Sequence, residues 1–143
     1  MGRVLCLDYG ERRIGVAISD PSRTIASPLT TLVRRRGKRP PWPELTAIVS
    51  EREVEEVVVG LPLEMDGSEG DWAEEVRRFG GEVARRTGLP VRWVDERLSS
   101  VEAERAVRES GLPRRKREEK ARIDASAAAL ILRSFLEGSG IHE

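Results

Sequence analysis

The segment VLCLDYGERRIGVAISD, residues 4–20, decides the fold predicted for this chain. It begins with the continuous apolar run VLCL, which is typical of a strand covered on both faces. After a turn, residues 13–19 alternate between branched apolar residues on one side and the small residues Gly15 and Ala17 on the other. Alternation of this kind predicts a second strand with one small-residue face. Two strands joined by a tight turn predict an antiparallel hairpin.

Beyond this hairpin the pattern predicts a third strand and then alternating helices and strands. The third strand covers residues 24–33, and Pro28 places it at a sheet edge because proline cannot donate to a ladder. The later elements are a helix, strand, helix, strand and two helices, at residues 45–49, 57–60, 72–83, 91–94, 99–107 and 123–135. This order predicts one α/β domain, residues 1–143, with a mixed five-stranded sheet of three antiparallel and then two parallel strands, and helices on both faces.

Composition limits the chemistry that this domain can perform. Hydrophobic residues make up 38% of the chain and charged residues 35%, as in a soluble α/β protein. We expect a cytoplasmic location, because no long apolar segment and no signal peptide is visible. The single cysteine, Cys6, excludes an internal disulfide, and the only histidine is His142, near the C-terminus. Catalysis by Ser-His-Asp or Cys-His and an ordinary zinc site are therefore excluded.

Three carboxylates lie at the margins of apolar segments. Asp8 ends the first strand, Glu96 follows the last strand, and Asp124 lies on the final helix, on the same face as Ala127 and Ile131. Because parallel strands deliver their carboxyl ends to one edge, we expect these side chains to meet there. Carboxylates that share a partly buried site need a counter-charge. The sequence therefore predicts that Asp8, Glu96 and Asp124 are catalytic and bind Mg²⁺ or Mn²⁺.

Each carboxylate also has a purely structural interpretation. Asp8 could begin a turn, Glu96 could form a surface ion pair with Arg97, and Asp124 could cap the last helix. None of these roles explains why the three should converge. A carboxylate-only site suits metal-assisted phosphodiester hydrolysis, in which ions activate water and stabilise the leaving oxygen.

Basic residues are clustered although the net charge is zero, with 25 basic and 25 acidic side chains. One basic run lies at residues 34–39 and another at 114–122. Such runs are also common on solvated surfaces, but beside an acidic cleft they favour contacts to nucleic-acid phosphates. The candidate substrate-binding residues are Arg13, Arg34, Arg35, Arg36, Arg97 and Lys120.

Four segments together resemble the YqgF family, also called Holliday junction resolvases or pre-16S rRNA nucleases. They are LDYGERRIGVAISD (7–20), VVVGLPLEMDGSEG (57–70), VDERLSS (94–100) and KARIDASAAALIL (120–132). The resemblance covers residues 4–136. It implies an RNase H-like fold related to RuvC-type resolvases, and an acidic catalytic triad that maps onto Asp8, Glu96 and Asp124.

The resemblance implies a metal-dependent nuclease that matures the 5′ end of pre-16S rRNA in ribosome biogenesis. One alternative is cleavage of four-way DNA junctions, for which symmetrical cutting requires a dimer. Another is an assembly factor that binds RNA without cutting it. A fragment of an actin-like ATPase is the least supported interpretation, because no Walker-type phosphate loop is present.

Overall fold

A mixed six-stranded sheet forms the centre of the structure, a computed structural model that describes residues 2–35, 39–98 and 117–142. The spatial order of the strands is β3-β2-β1-β4-β5-β6. Their bounds are β1 Arg3–Tyr9, β2 Arg13–Ser19, β3 Ala26–Val33, β4 Val54–Leu61, β5 Val91–Asp95 and β6 Ile141–His142.

Strand pairing confirms the predicted mixed sheet. β1 pairs with β2 and β2 with β3 in antiparallel fashion, whereas β1 pairs with β4 and β4 with β5 in parallel. β3, which contains Pro28, lies at the edge as expected, although it begins at Ala26 rather than at residue 24.

The predicted count of five strands is too low by one. Ile141 and His142 form β6, which pairs antiparallel with β5. The neighbouring backbone supports this pairing, because the Asp95 N–H donates to the Gly140 carbonyl oxygen over 2.7 Å. A strand of two residues is too short to show an alternating pattern, so the sequence could not reveal it.

Helices cover both faces of the sheet, as predicted. They are α1 Trp42–Glu51, α2 Asp71–Thr87 and α3 Arg117–Leu136. Gly88 ends α2 in the left-handed conformation, with φ of 71°, and its N–H donates to the Ala84 carbonyl oxygen. The helix predicted at residues 99–107 lies outside the described residues. In the described part of the chain, no helix combines the length and apolarity needed to cross a bilayer.

Alternation along β1 divides the core between two layers. Leu5, Leu7 and Tyr9 pack with residues of α1 and α2 on one face. Val4 and Cys6 pack on the other face with residues of α3. The α3 side of this second layer consists of Ala127, Ala128, Ile131 and Leu132, which are at most 5% exposed. Small side chains between helix and sheet let the two backbones approach each other closely.

Candidate active site

Asp8 is a buried member of β1. It is 4% exposed and its Cα is paired with that of Gly15 on β2, so it does not begin a turn and that interpretation is wrong. Because side chains alternate along a strand, Asp8 lies on the same face as Val4 and Cys6. That face is the one covered by α3.

Gly15 marks the point where α3 contacts the sheet. A Cβ built on Gly15 would lie 2.1 Å from the carbonyl oxygen of Asp124 and 2.6 Å from its carbonyl carbon. No side chain fits there, so the backbone of Asp124 lies directly over β2, beside Asp8 on the neighbouring strand. Asp124 itself is half-buried.

The capping interpretation of Asp124 is wrong. The helix begins at Arg117, so Asp124 lies seven residues inside it. The N–H groups that need a cap belong to the first turn of a helix, and Asp124 is beyond that turn. Its position is therefore set by the packing of α3 against the sheet.

Glu96 occupies the other side of Asp8. It opens a 3-10 turn, Glu96–Leu98, directly after β5, and is 3% exposed. A Cβ built on Gly60 would lie 2.8 Å from Glu96 Oε1 and 2.9 Å from Ile131 Cδ1. The glutamate side chain therefore lies over β4. The parallel register pairs Leu7 with Val59, which places Gly60 next to Asp8.

The three residues thus follow one another across β2, β1 and β4, on one face and at one end of the sheet. Adjacent strands are about 4.8 Å apart, so the two outer residues lie over strands separated by about 10 Å. Among the residues that the structure describes, no three His, Cys, Asp or Glu side chains are grouped closely enough to hold a metal ion. The fold brings the three residues to one region without closing them into a ligand set.

Arg97 connects the end of β5 to the loop that follows β4. Its guanidinium binds Asp95, with Nη2 to Oδ2 at 2.8 Å, and Nη1 also donates to the carbonyl oxygens of Glu64 and Met65 at 3.3 and 3.2 Å. Burial raises the pKa of the Asp95 carboxyl. The hydrogen bonds and charge of Arg97 together lower this pKa by more than burial raises it, so that it lies below the usual range. Arg97 therefore holds the turn that contains Glu96 against the loop after β4.

The remaining basic candidates are spread over the molecule. The Arg34 guanidinium donates to the carbonyl oxygens of Gly10 and Glu11 at 2.8 and 2.9 Å, and Arg35 forms an ion pair with Glu44 at 2.6 Å. Arg13, half-buried, opens β2, and Lys120 belongs to α3, whereas Arg36 lies outside the described residues.

Sequence reasoning missed the roles of three residues in this region. Gly15 and Gly60 provide the close approaches beneath Asp124 and Glu96, and Asp95 binds Arg97. A glycine inside a strand is a signal of close backbone approach. The sequence showed Gly15 only as part of a small-residue face, and nothing in it distinguished Asp95 from a surface acid.

Comparison with known proteins gives consistent matches along the chain. Residues 2–138 match the family described as "RuvX: Holliday junction resolvase". A protein of Koribacter versatilis named "Putative pre-16S rRNA nuclease" is 44% identical over 140 residues, which are 98% of this chain and 90% of that protein. A protein of the same name from Anaeromyxobacter sp. is 48% identical over 136 residues, 95% of this chain and 97% of that one.

Solved structures give the same fold. The chain resembles RuvC of T. thermophilus in complex with a Holliday junction substrate, with a TM-score of 0.54 and 18% identity over 96% of this chain and 95% of that one. A second Thermus thermophilus RuvC structure gives a TM-score of 0.51 at 16% identity. These likenesses confirm the predicted RNase H-like fold.

Proposed function

This chain belongs to the RuvX family, and from that membership we propose that it is a metal-dependent nuclease. In this proposal, residues 1–143 form a single cytoplasmic RNase H-like domain that hydrolyses phosphodiester bonds of structured nucleic acid. The name of its relatives directs the proposal to pre-16S rRNA. We place the cut at the 5′ end of this precursor, as a step of ribosome biogenesis. The observation that carries it is the placement of Asp8, Glu96 and Asp124 on one face of the sheet, where Gly15 and Gly60 let the Asp124 backbone and the Glu96 side chain lie close to the strands.

The donor set fits a hard divalent cation. Asp8 and Glu96 are 4% and 3% exposed, and a cation that faces buried carboxylates stabilises their ionised form. Oxygen donors are those that Mg²⁺ and Mn²⁺ prefer. Asp8, Glu96 and Asp124 would hold the ion, which when bound supplies activation of water and stabilisation of the leaving oxygen.

The protein's own contribution is positioning. β1 fixes Asp8 by its ladder with β2 and β4, and the packing of α3 over Gly15 fixes the backbone of Asp124. Arg97 holds the turn that starts at Glu96 against the loop after β4. Placement of this kind holds the three residues at one end of the sheet, which limits the movement that their side chains need to reach a shared ion.

The test is Asp8→Asn, which removes one charge without changing the shape of the side chain. Replacing even an outer partner of a metal ligand commonly costs about 10- to 100-fold in activity, so we expect loss of a ligand itself to cost more than about 100-fold. Cleavage of an end-labelled pre-16S rRNA fragment with Mn²⁺ provides the measurement. Asp71→Asn, at an exposed position on α2, is the control and should retain cleavage. Wild-type cleavage by Asp8→Asn would refute the proposal.

Cleavage of four-way DNA junctions is the second candidate, and the family description and the likeness to RuvC favour it. Paired symmetrical nicks need two active sites and hence a dimer. The same preparation should therefore be given a labelled four-way junction beside the rRNA fragment. If only the four-way junction is cut, the proposed substrate becomes branched DNA instead of rRNA. Salt-dependent binding of RNA without any cleavage would instead indicate a non-catalytic assembly factor.

A further inference from the structure

A pocket of about 670 Å³ opens on the face of the sheet opposite the carboxylates. It lies between β1, α1 and α2. Four aromatic side chains and three arginines are among the residues that line it: Tyr9, Trp42, Trp72, Phe79, Arg34, Arg78 and Arg86. The proposed catalytic site uses only the other face, so this pocket has no role in it.

The aromatic side chains form a continuous row of nearly parallel rings. Trp72 stacks on Tyr9 with centroids 5.6 Å apart, Tyr9 on Phe79 at 4.2 Å, and Phe79 on Trp42 at 5.7 Å, with interplanar angles of 18–23°. These are four of the chain's six aromatic residues. Tyr9 and Phe79 are nearly buried, whereas the two outer tryptophans are half-buried. The ends of the row therefore present indole surface to the pocket.

Guanidinium groups lie over this row. Arg34 lies 4.4 Å from the ring centroid of Tyr9, and Arg86 lies 4.5 Å from that of Trp42. Arg86 is also ion-paired with Glu82 at 2.9 Å. Arg78 lines the same pocket at an exposed position, and within the described residues it forms no ion pair. It is therefore the cation best placed to bind an added anion.

This combination suits a nucleotide rather than a free phosphate. Aromatic faces stack on every nucleobase, and a neighbouring arginine can bind the attached phosphate. Glu11, Glu75 and Glu82 also line the pocket, so its charge is balanced rather than strongly positive. A balanced pocket would bind a multiply charged anion poorly, whereas carboxylates can accept hydrogen bonds from the amino groups of bases.

The pocket is close in the chain to the proposed catalytic site. Tyr9 directly follows Asp8 on β1. Arg34, over Tyr9, also binds the carbonyl oxygens of Gly10 and Glu11 in the turn between β1 and β2. The pocket and the carboxylates therefore lie on opposite faces of the same hairpin end. A nucleic-acid strand that passes over this end can contact both.

We propose that this pocket binds one unpaired nucleobase of the substrate strand, from a nucleotide that flanks the cleaved phosphodiester. The base stacks on the indole surface at one end of the ring row, and Arg78 binds its phosphate. The inference rests on the proposed function, because the strand that the pocket would bind is the one that is cleaved. Its effect would be to select substrates that have a single-stranded segment beside the cleavage site.

Binding can be tested without catalysis by using tryptophan fluorescence. Trp93 lies elsewhere, against Gly80, so Trp93→Phe leaves Trp42 and Trp72, both in the pocket, as the only tryptophans. In this background and without divalent metal, a four-nucleotide single-stranded RNA should quench the emission saturably because a base stacks on indole. Ribose 5-phosphate, which has no base, should not. Equal quenching by the RNA and by ribose 5-phosphate would overturn the proposal. So would the absence of quenching by either ligand.

Neighbouring arginines on α2 provide matched variants. Arg78→Ala and Arg86→Ala change pocket residues, whereas Arg85→Ala changes an exposed arginine that also pairs with Glu82 but does not line the pocket. We expect the first two to raise the Kd for the RNA at least about fivefold, as loss of a charged or cation–π contact does, and Arg85→Ala to leave it unchanged. Thermal unfolding checks that all three remain folded.

Cleavage separates this inference from the proposed function. If wild type cuts the precursor rRNA and the Arg78→Ala and Arg86→Ala variants bind and cut like Arg85→Ala, the pocket proposal fails and the nuclease proposal stands. If the RNA binds in the pocket with the expected losses but no substrate is cut, the nuclease proposal fails and only the nucleobase-binding pocket stands. An abasic substitution beside the cleavage site should lower kcat/KM for wild type more than for Arg78→Ala.

Discussion

The two faces of the central sheet differ in the size of their side chains, and this difference separates their roles. Towards α3 the sheet carries Gly15, Ala17 and Gly60, and the helix backbone comes close enough to place Asp124 over β2. Towards α1 and α2 it carries large aliphatic and aromatic side chains that fill the main core. Small residues bring charged groups together, whereas large ones supply most of the apolar burial that stabilises the fold.

The largest effect on stability should come from the aromatic and aliphatic face. Leu45 of α1 is fully buried there, so Leu45→Ala should lower the free energy of unfolding by about 2–5 kcal/mol. The carboxylates lie on the other face, and kcat of the folded enzyme should be unchanged. Urea unfolding and cleavage assays well below the unfolding transition provide the measurements. A severalfold fall in kcat would show that the two faces are not separate.

Gly15→Ala should affect both stability and catalysis. The new Cβ would meet the carbonyl of Asp124 at 2.1 Å, so α3 must move away from the sheet. We expect a loss of about 1–3 kcal/mol of unfolding free energy, as for other overpacked sites, together with a strong fall in cleavage. Gly81→Ala on α2 is the control, since nothing lies within 4 Å of its Cβ. There alanine should stabilise the helix by about 0.5–1 kcal/mol. Equal behaviour of the two variants would contradict the close approach.

Gly60→Ala should change catalysis more than stability. Its Cβ would meet Glu96 Oε1 at 2.8 Å and Ile131 Cδ1 at 2.9 Å, which are ends of side chains that can rotate away. The stability loss should therefore stay below about 1.5 kcal/mol, while the displaced carboxylate lowers kcat. Comparison of kcat with the urea midpoint tests this. A variant with full kcat would show that Glu96 need not lie over Gly60.

The smallest effect concerns the dependence of stability on pH. The pKa of Asp95 is lower in the folded protein than the ordinary pKa of an aspartate, about 3.9. Its pairing with Arg97 therefore stabilises the fold at pH values above about 3.9. This contribution is lost as the pH falls through the lower pKa of the folded state. Asp95→Asn removes that contribution. The gap in urea midpoint between wild type and variant should be clear at pH 7 and shrink towards pH 3. A gap that widens in acid would contradict the assigned direction.

Much of the fold was predictable because its elements have local signals. The VLCL run, the alternation after it and Pro28 in β3 predicted the antiparallel half of the sheet, and the alternation of helix and strand predicted the parallel half. β6 was not predictable, because two residues carry no period and their pairing depends on β5. The carboxylates could be chosen from the sequence by residue type and position. The sequence could not decide, however, whether Asp8 begins a turn or whether Asp124 caps a helix.

The amino-acid sequence by itself determined the class of fold, its family and the candidate acidic residues, because hydrophobic period and motif are local properties of the chain. The tertiary structure alone decided that Asp124 lies inside a helix that packs on Gly15, that Glu96 lies over Gly60, and that Arg97 binds Asp95. It also decided that four dispersed aromatic residues form one row. These facts depend on contacts between segments far apart in sequence, which no local pattern encodes.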